Sequence, residues 1–428
     1  QAFLSCLHYL SADPSEPEAY AELRTRLEEI DRTIDNPHNY LYYLATPPLL
    51  YGVIPRHLKA EGLNREGDGF RRIVVEKPFG YDLSSALELN RIYLDAFREE
   101  QIYRIDHFLG KETVENILAL RFANSVVEPL WNRNYIDYVE ITAVENMGIG
   151  TRGGFYDGVG TLRDMVQNHL AQLLAVTAME PPAAFDASGF RNEVVKVYQS
   201  LTPLTGEDIR HSVVRGQYMA SEGRKGYREE EQVPALSRTE TYLAMRLELN
   251  NWRWGGVPFY IRTGKQMPTK VSEIVIHFKP APYSLFRCEG GTCPVPNRLV
   301  IRIQPNEGIV LRLGMKKPGE GFEVLPMDMD FSYAELGRLP TEDAYARLIE
   351  DCIAGDPTLF IRSDAVESGW RFFDPILKYW QDVPECPLYG YPAGSWGPLE
   401  ADSLVARQGA SWTNPCKNLT NTHLYCEL

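Results

Sequence analysis

Asp106 and His107 stand side by side in RIDHFLGKE, and Lys111 follows four residues later. If a helix begins near His107, His107 and Lys111 share one face of its first turn. Unpaired N–H groups and the positive dipole end would lie beside them. That combination binds an anion, most simply a phosphate; the plainer alternative is a solvated pair at a helix start. Asp106 has the wrong sign for phosphate. It suits a base, a sugar hydroxyl or a helix N-cap.

A second histidine, His169, falls within the apolar stripe Leu162, Met165, Val166, Leu170 and Leu173 of TLRDMVQNHLAQLLAVTAM. It is either a hydrogen-bonded core residue or a desolvated general base held by a carboxylate. Asp106 is a candidate partner, although spacing alone does not join them. Asp164 and Asn168 make a separate polar stripe suited to hydroxyl groups. Glu76-Lys77-Pro78-Phe79 ends the buried run Ile73-Val74-Val75. Ligands of open α/β sheets bind outside the carboxyl ends of strands, so Lys77 there could touch cofactor and substrate together. Otherwise Lys77 is solvated and Pro78 merely stops the strand. Gly148-Ile149-Gly150-Thr151-Arg152-Gly153 matches GxGxxG, but three residues separate it from the preceding strand. It reads as a loop near a site, not as a dinucleotide fingerprint.

The elements that must carry these residues change in type along the chain. LSCLHYLSAD, NYLYYLATPP, RRIVVEKPFG and QIYRID read as strands or extended runs. EPEAYAELRTRLEEID and SSALELNRIYLDAFRE read as helices, the second capped by Asp82 or Ser84. Strand and helix alternating at this spacing argue for a parallel sheet with helices packed on it, the α/β class, over residues 1 to about 105. YVEITAVE and the long strands beyond about residue 210 (RTETYLAMRLELN, VSEIVIHFKP, RLVIRIQP, GIVLRLG) follow antiparallel grammar, with helices recurring at DAYARLIEDCIAG and ESGWRFFDPILKYW. The expected organisation is an α/β domain at 1–105, an α+β domain at 106–415 and a tail at 416–428.

The 428 residues are 44% hydrophobic and 24% charged, enough for a sizeable core, and carry a net charge of −14. That charge argues against nucleic acid or anionic membrane as a partner. No apolar run is long enough to span a bilayer, and no signal-peptide pattern is present. Among seven cysteines only Cys288 and Cys293 are close, and there is no CxxC, so reduced thiols of a cytoplasmic protein are expected and no metal site. The chain starts at Gln1 in what reads as an element already under way, which suggests a missing N-terminal segment.

Several motifs agree with one family. RIDHFLGKE, VVEKPFG, RFAN with WNR, GGFYDGVGTLRDMVQNHLAQLLA, RTGK followed by a lysine, and YPAGSWGPLEAD together resemble glucose-6-phosphate dehydrogenase over essentially the whole chain. The resemblance implies a Rossmann-like coenzyme domain, partial here without its first strand-turn-helix, and a larger domain with a mainly antiparallel sheet. It implies oxidation of glucose 6-phosphate at carbon 1 to 6-phosphogluconolactone with hydride transfer to NADP, the first step of the oxidative pentose phosphate pathway. By the same resemblance His169 is the base and Asp106 its orienting carboxylate. His107 and Lys111 hold the phosphate. Glu145 and Asp164 bind sugar hydroxyls. Lys265, Lys270 (a position where the family also has Arg) and Gln304 complete the substrate contacts. Lys77 touches substrate and cofactor, with Pro78 and Tyr51 on the cofactor side. A homodimer pairing into a homotetramer is implied.

Four departures qualify the resemblance. The family's GxxGDL phosphate turn would have to precede Gln1. Phe108 stands where the family usually has Tyr, a loss on the order of 1 kcal/mol if that hydroxyl binds phosphate. Some members carry a second, structural NADP, which Arg302, Arg312 and Asp330 could serve. Val271, Val310 and Trp396 replace basic or aromatic contacts there, which argues against it. The tail CKNLTNTHLYCEL lies outside the family core. Rival readings are another EKP-containing sugar dehydrogenase and a non-catalytic hexose-phosphate-binding scaffold.

Overall fold

The computed structural model describes residues 4–34, 36–283, 285–288, 297–319, 321–333, 343–406 and 410–415. The expected tail therefore lies outside the described residues. A first layer holds three parallel strands in the order β1 (Tyr40–Leu44), β2 (Arg71–Val75), β3 (Ile102–Arg104). Ile73, Val74 and Val75 are fully buried, as a parallel strand covered on both faces requires. α1 (Glu18–Ile34) precedes β1, α2 (Ile54–Ala60) lies between β1 and β2, and α3 (Leu83–Ala96) lies between β2 and β3. Asp82 caps α3, its carboxylate accepting from the Ser85 amide at 2.7 Å.

One expected strand is absent. Leu4–Cys6 forms a 3₁₀ turn and the chain to Asp13 is irregular. Leu4, Leu7 and Tyr9 are exposed, so the apolar residues that suggested a strand have no surface to pack against.

The second layer is a ten-stranded sheet. After α4 (Glu112–Phe122) come β4 (Ile136–Val144), α5 (Gly153–Thr161), a π-helix at Leu162–Leu170, α6 (Ala171–Ala178), α7 (Ala187–Ser200) and α8 (Glu207–Ser212). The remaining strands are β5 (Val213–Met219), β6 (Tyr242–Glu248), β7 (Pro258–Gly264), β8 (Val271–Phe278), β9 (Arg287–Cys288), β10 (Arg298–Gln304), β11 (Gly308–Lys316), β12 (Glu323–Ser332) and β13 (Tyr389–Pro392). Their order is β13-β5-β6-β7-β4-β8-β10-β11-β12-β9. The sheet is mainly antiparallel, with parallel pairs β4–β7, β13–β5 and β12–β9.

Topology fixes where chemistry can occur. β4 and β7 run parallel with Val144 opposite Gly264, so Glu145 and Lys265 emerge together. β8 runs antiparallel to β4 with Val271 opposite Val144, which brings Lys270 to the same end. β10 delivers Gln304 there, opposite Ser272.

Two late helices, α9 (Ala344–Ala354) and α10 (Ser363–Asp382), join the layers. Arg72 donates to the Cys352 and Ile353 carbonyls at 2.6 Å. Arg104 is 2% exposed and donates to Glu99, Asn90 and the Ile361 carbonyl. The Trp370 indole donates to the Phe79 carbonyl at 3.1 Å. These bonds tie both ends of β2 and the end of β3 to α9, α10 and the loop between them.

Candidate active site

Asp106 sits two residues beyond β3. Its Oδ1 accepts from His169 Nδ1 at 2.6 Å and from the Phe108 amide at 2.9 Å. The Asp106 and His169 side chains are each 2% exposed. Burial opposes the charge on Asp106, but His169 and the two hydrogen bonds outweigh it and bring the carboxyl down to about 2. A carboxylate can only accept, so His169 donates from Nδ1; a lysine ammonium can only donate, so the Nε2 that faces Lys77 is left to accept. Lys77 Nζ lies 2.7 Å from that Nε2.

Lys77 also donates to the Asp164 carbonyl at 3.0 Å and its Oδ1 at 3.3 Å. Lys265 Nζ lies 3.4 Å from Asp164 Oδ2 and donates to Glu145 Oε2 at 2.6 Å. Glu145, Lys265, Asp164, Lys77, His169 and Asp106 thus form one continuous chain of polar contacts. Burial opposes the charge on Asp164, but Lys77 and Lys265 keep it below the ordinary carboxylate value.

The π-helix makes this chain possible. Residues five apart on an α-helix point ~140° away from each other. Where backbone bonds close at i+5 the turn is wider and that separation shrinks to well under a right angle. Asp164 and His169 are five apart, and both reach Lys77. The segment is entered through Gly160, at φ 73°, where any Cβ would meet Glu240 Oε1 at 2.5 Å. Glu240 is buried, and its Oε1 accepts from the Leu162 amide at 3.0 Å.

His107 and Lys111, expected to hold a phosphate, are not arranged as the sequence suggested. α4 begins at Glu112, with Lys111 as its N-cap in extended conformation, so His107 and Lys111 do not share a helix face. The turn is closed earlier, by the Leu109 amide on the Asp106 carbonyl. The two residues meet around Phe108 instead. Lys111 Nζ lies 4.3 Å from the Phe108 ring centre and the His107 ring 5.1 Å from it. Phe108 stacks on His169 at 4.5 Å, so the residue that looked out of pattern is the buried floor shared by both half-sites. Gln304 Oε1 accepts from Lys111 at 2.6 Å while its amide donates to Ser272. Burial, then nearby Lys270, brings Lys111 down to about 8. Burial, then His169, brings His107 down to about 4, so at neutral pH it is an uncharged imidazole. Lys270 itself is exposed.

On the coenzyme side, the Lys77–Pro78 bond is cis, and Tyr51 is buried with its phenol pushed up to about 12 by burial and Glu76. Glu76 accepts from Tyr43. At the end of β1, Thr46 Oγ1 is buried with no partner. Thr46 follows β1 and Lys77 follows β2, so an orphaned hydroxyl and a lysine stand at the carboxyl ends of neighbouring parallel strands, which fits a nicotinamide dinucleotide lying across the sheet edge. The GxGxxG run has no such opening. A Cβ on Gly153 would stand 1.9 Å from the Glu231 carbonyl oxygen. On the large sheet Arg302 is paired with Asp330 and Arg312 with Asp328. Ligating atoms of Asp106, His107 and His169 come within 4.8 Å of one another, but the Asp106–His169 hydrogen bond already uses that closest approach.

Sequence reading passed over Tyr345, Glu240 and Thr46. Tyr345, in the first turn of α9, stacks on His107 at 6.0 Å and 8°. Its local sequence reads as plain amphipathic helix, and only docking of α9 reveals the contact.

A parallel coenzyme-type sheet edge joined to a buried, carboxylate-held histidine defines a two-domain dehydrogenase acting on an alcohol carbon. The family model described as glucose-6-phosphate dehydrogenase, NAD binding domain matches residues 1–116, and that for the C-terminal domain matches residues 118–413. The glucose-6-phosphate 1-dehydrogenase of Aggregatibacter actinomycetemcomitans is 52% identical over 419 residues, covering 97% of this chain and 84% of that protein. That of Treponema pallidum is 48% identical over 431 residues, covering 100% and 84%. A solved glucose-6-phosphate dehydrogenase in complex with glucose 6-phosphate superposes with TM-score 0.88 at 35% identity, covering 96% of this chain and 84% of that one. The Mycobacterium avium enzyme does so with TM-score 0.81 at 38% identity, covering 97% and 84%. The chain belongs to the glucose-6-phosphate dehydrogenase family.

Proposed function

We propose that this protein oxidises glucose 6-phosphate at carbon 1 to 6-phosphogluconolactone with NADP as acceptor, the first step of the oxidative pentose phosphate pathway. The observation that carries this reading is the 2.6 Å bond between Asp106 and His169, which leaves His169 Nε2 as a basic atom at the meeting of sheet edge and sugar site. When bound, the oxidised nicotinamide supplies the acceptor for the hydride from carbon 1. Thr46, Tyr51, Lys77 and Pro78 would hold it.

His169 Nε2 takes the C1 hydroxyl proton as the carbonyl forms. The substrate hydroxyl displaces Lys77 from that nitrogen, and Asp164 holds the freed ammonium close. Asp106 stabilises the imidazolium as it forms, and a base so placed contributes about 10²–10⁴-fold. Glu145, Asp164 and Lys265 bind sugar hydroxyls. Lys111, His107 and Lys270 bind the phosphate. Gln304 orients Lys111.

We extend the proposal to a homodimer or homotetramer. β11 and β12 leave Met327 53% and Met329 58% exposed on one face opposite Leu313 and Leu311, an apolar strip suited to a second copy. Buried Cys352 and Cys386, neither in a disulfide, suit a cytoplasmic location, and among the described residues no helix is long and apolar enough to cross a membrane.

The test is NADPH formation with glucose 6-phosphate and with free glucose, alongside titration calorimetry of glucose 6-phosphate. Turnover with a strong preference for the phosphorylated sugar is expected. Tight binding of the sugar phosphate without turnover would make the protein a scaffold.

A further inference from the structure

Behind the proton-accepting pair lies a cavity of about 20 Å³. Its wall includes Lys77, then Ile105 beside Asp106, and Asn168 beside His169. It therefore backs onto the three elements that carry the reacting groups. Arg104 from β3 and Tyr198 from α7 also line it. Each contributes a buried polar atom without a hydrogen-bond partner, Arg104 Nε and the Tyr198 hydroxyl.

Arg104 cannot turn to relieve its own orphan, because its two terminal nitrogens are held by Glu99, Asn90 and the Ile361 carbonyl. Burial, then the charge of Asp106, pushes the Tyr198 phenol well above its ordinary value, so it stays protonated and able to donate. Buried polar atoms are nearly always paired. A cavity of more than ~10–15 Å³ with two or more polar neighbours takes up one water.

We propose that an internal water occupies this cavity, held by Tyr198 Oη and Arg104 Nε, and that Tyr198 is through it a positioning residue for the Asp106–His169 pair. The water ties α7 to Arg104, two residues before Asp106, and lies against the helix that carries His169. Without it, both sides of the 2.6 Å hydrogen bond gain freedom to shift. The inference rests on the assignment of His169 as base.

Tyr198→Phe keeps the ring and removes the hydroxyl. With a water bound, kcat falls about tenfold, KM for glucose 6-phosphate stays within twofold and Tm falls, because the water loses a partner. In a dry cavity the same change deletes an unpaired hydroxyl, so Tm rises and kcat is unchanged. Gly369 supplies a second variant. It lines the same cavity from within α10, and a Cβ there meets nothing within 4 Å. Gly369→Ala should lower kcat as Tyr198→Phe does, by displacing the water; a higher Tm with unchanged kcat, from better helix propensity and filled space, would overturn the proposal. A crystal structure with density in the cavity bonded to Tyr198 and Arg104 supports it, and an empty cavity sinks it. An active His169→Asn enzyme would overturn the base assignment itself. An inactive His169→Asn beside a silent Tyr198→Phe overturns only the water.

Discussion

Lys77 Nζ lies 2.7 Å from His169 Nε2, on the ring nitrogen that Asp106 leaves unprotonated. His169, Asp164, Glu145, Lys77, Lys265 and Lys111 are therefore already bound to protein partners in the free site. Substrate binding exchanges these contacts and does not enter a set of unpaired charges.

Lys77→Met removes the ammonium that links Asp164 to His169. Loss of one aimed donor at a reacting centre lowers rates by about 10²–10³-fold. kcat/KM for glucose 6-phosphate should fall by that order, and a change below threefold would remove Lys77 from the reaction.

Lys111 titrates at about 8 in the free protein because burial and Lys270 disfavour its charge. A phosphate dianion binds the protonated amine, so KM should be flat between about pH 6, where a phosphate monoester loses its second proton, and about pH 8, and rise by roughly tenfold per unit above it. Lys111→Ala should raise KM for glucose 6-phosphate, flatten this rise, and leave KM for free glucose nearly unchanged. Equal effects on both sugars would take Lys111 out of the phosphate site.

Gly160→Ala forces a left-handed residue and drives a methyl into Glu240, the cap of the π-helix. A strained position of this kind costs about 1–3 kcal/mol. A lower Tm together with a lower kcat is expected, since the same segment carries Asp164 and His169. An unchanged kcat with lowered Tm would separate the cap from the geometry of the site.

Much of the site was legible because its residues sit at strand ends that local grammar marks. The buried run Ile73-Val74-Val75 followed by Lys77-Pro78 announces a sheet edge, and Asp106 follows the next strand. The pairing of Asp106 with His169 joins residues 63 apart; spacing did not show it, the family resemblance implied it, and the fold brings the two into contact. The start of α4 was misread because Lys111 suits a helix, whereas the Asp106 carbonyl closes a turn first. The π-helix was invisible because a stripe at 3.6-residue spacing presumes the very geometry that Leu162–Leu170 abandons. Tyr345, Glu240 and Thr46 carry no local signal, since their roles come from elements docked across the two layers.

The central claim is that His169 Nε2 accepts the substrate proton. It is tested most directly by His169→Asn, with turnover and glucose 6-phosphate binding measured on the same preparation. The account predicts a fall in kcat of about 10²–10⁴-fold with affinity for the sugar phosphate retained within a few-fold. A His169→Asn enzyme that turns over at near the parent rate would contradict it.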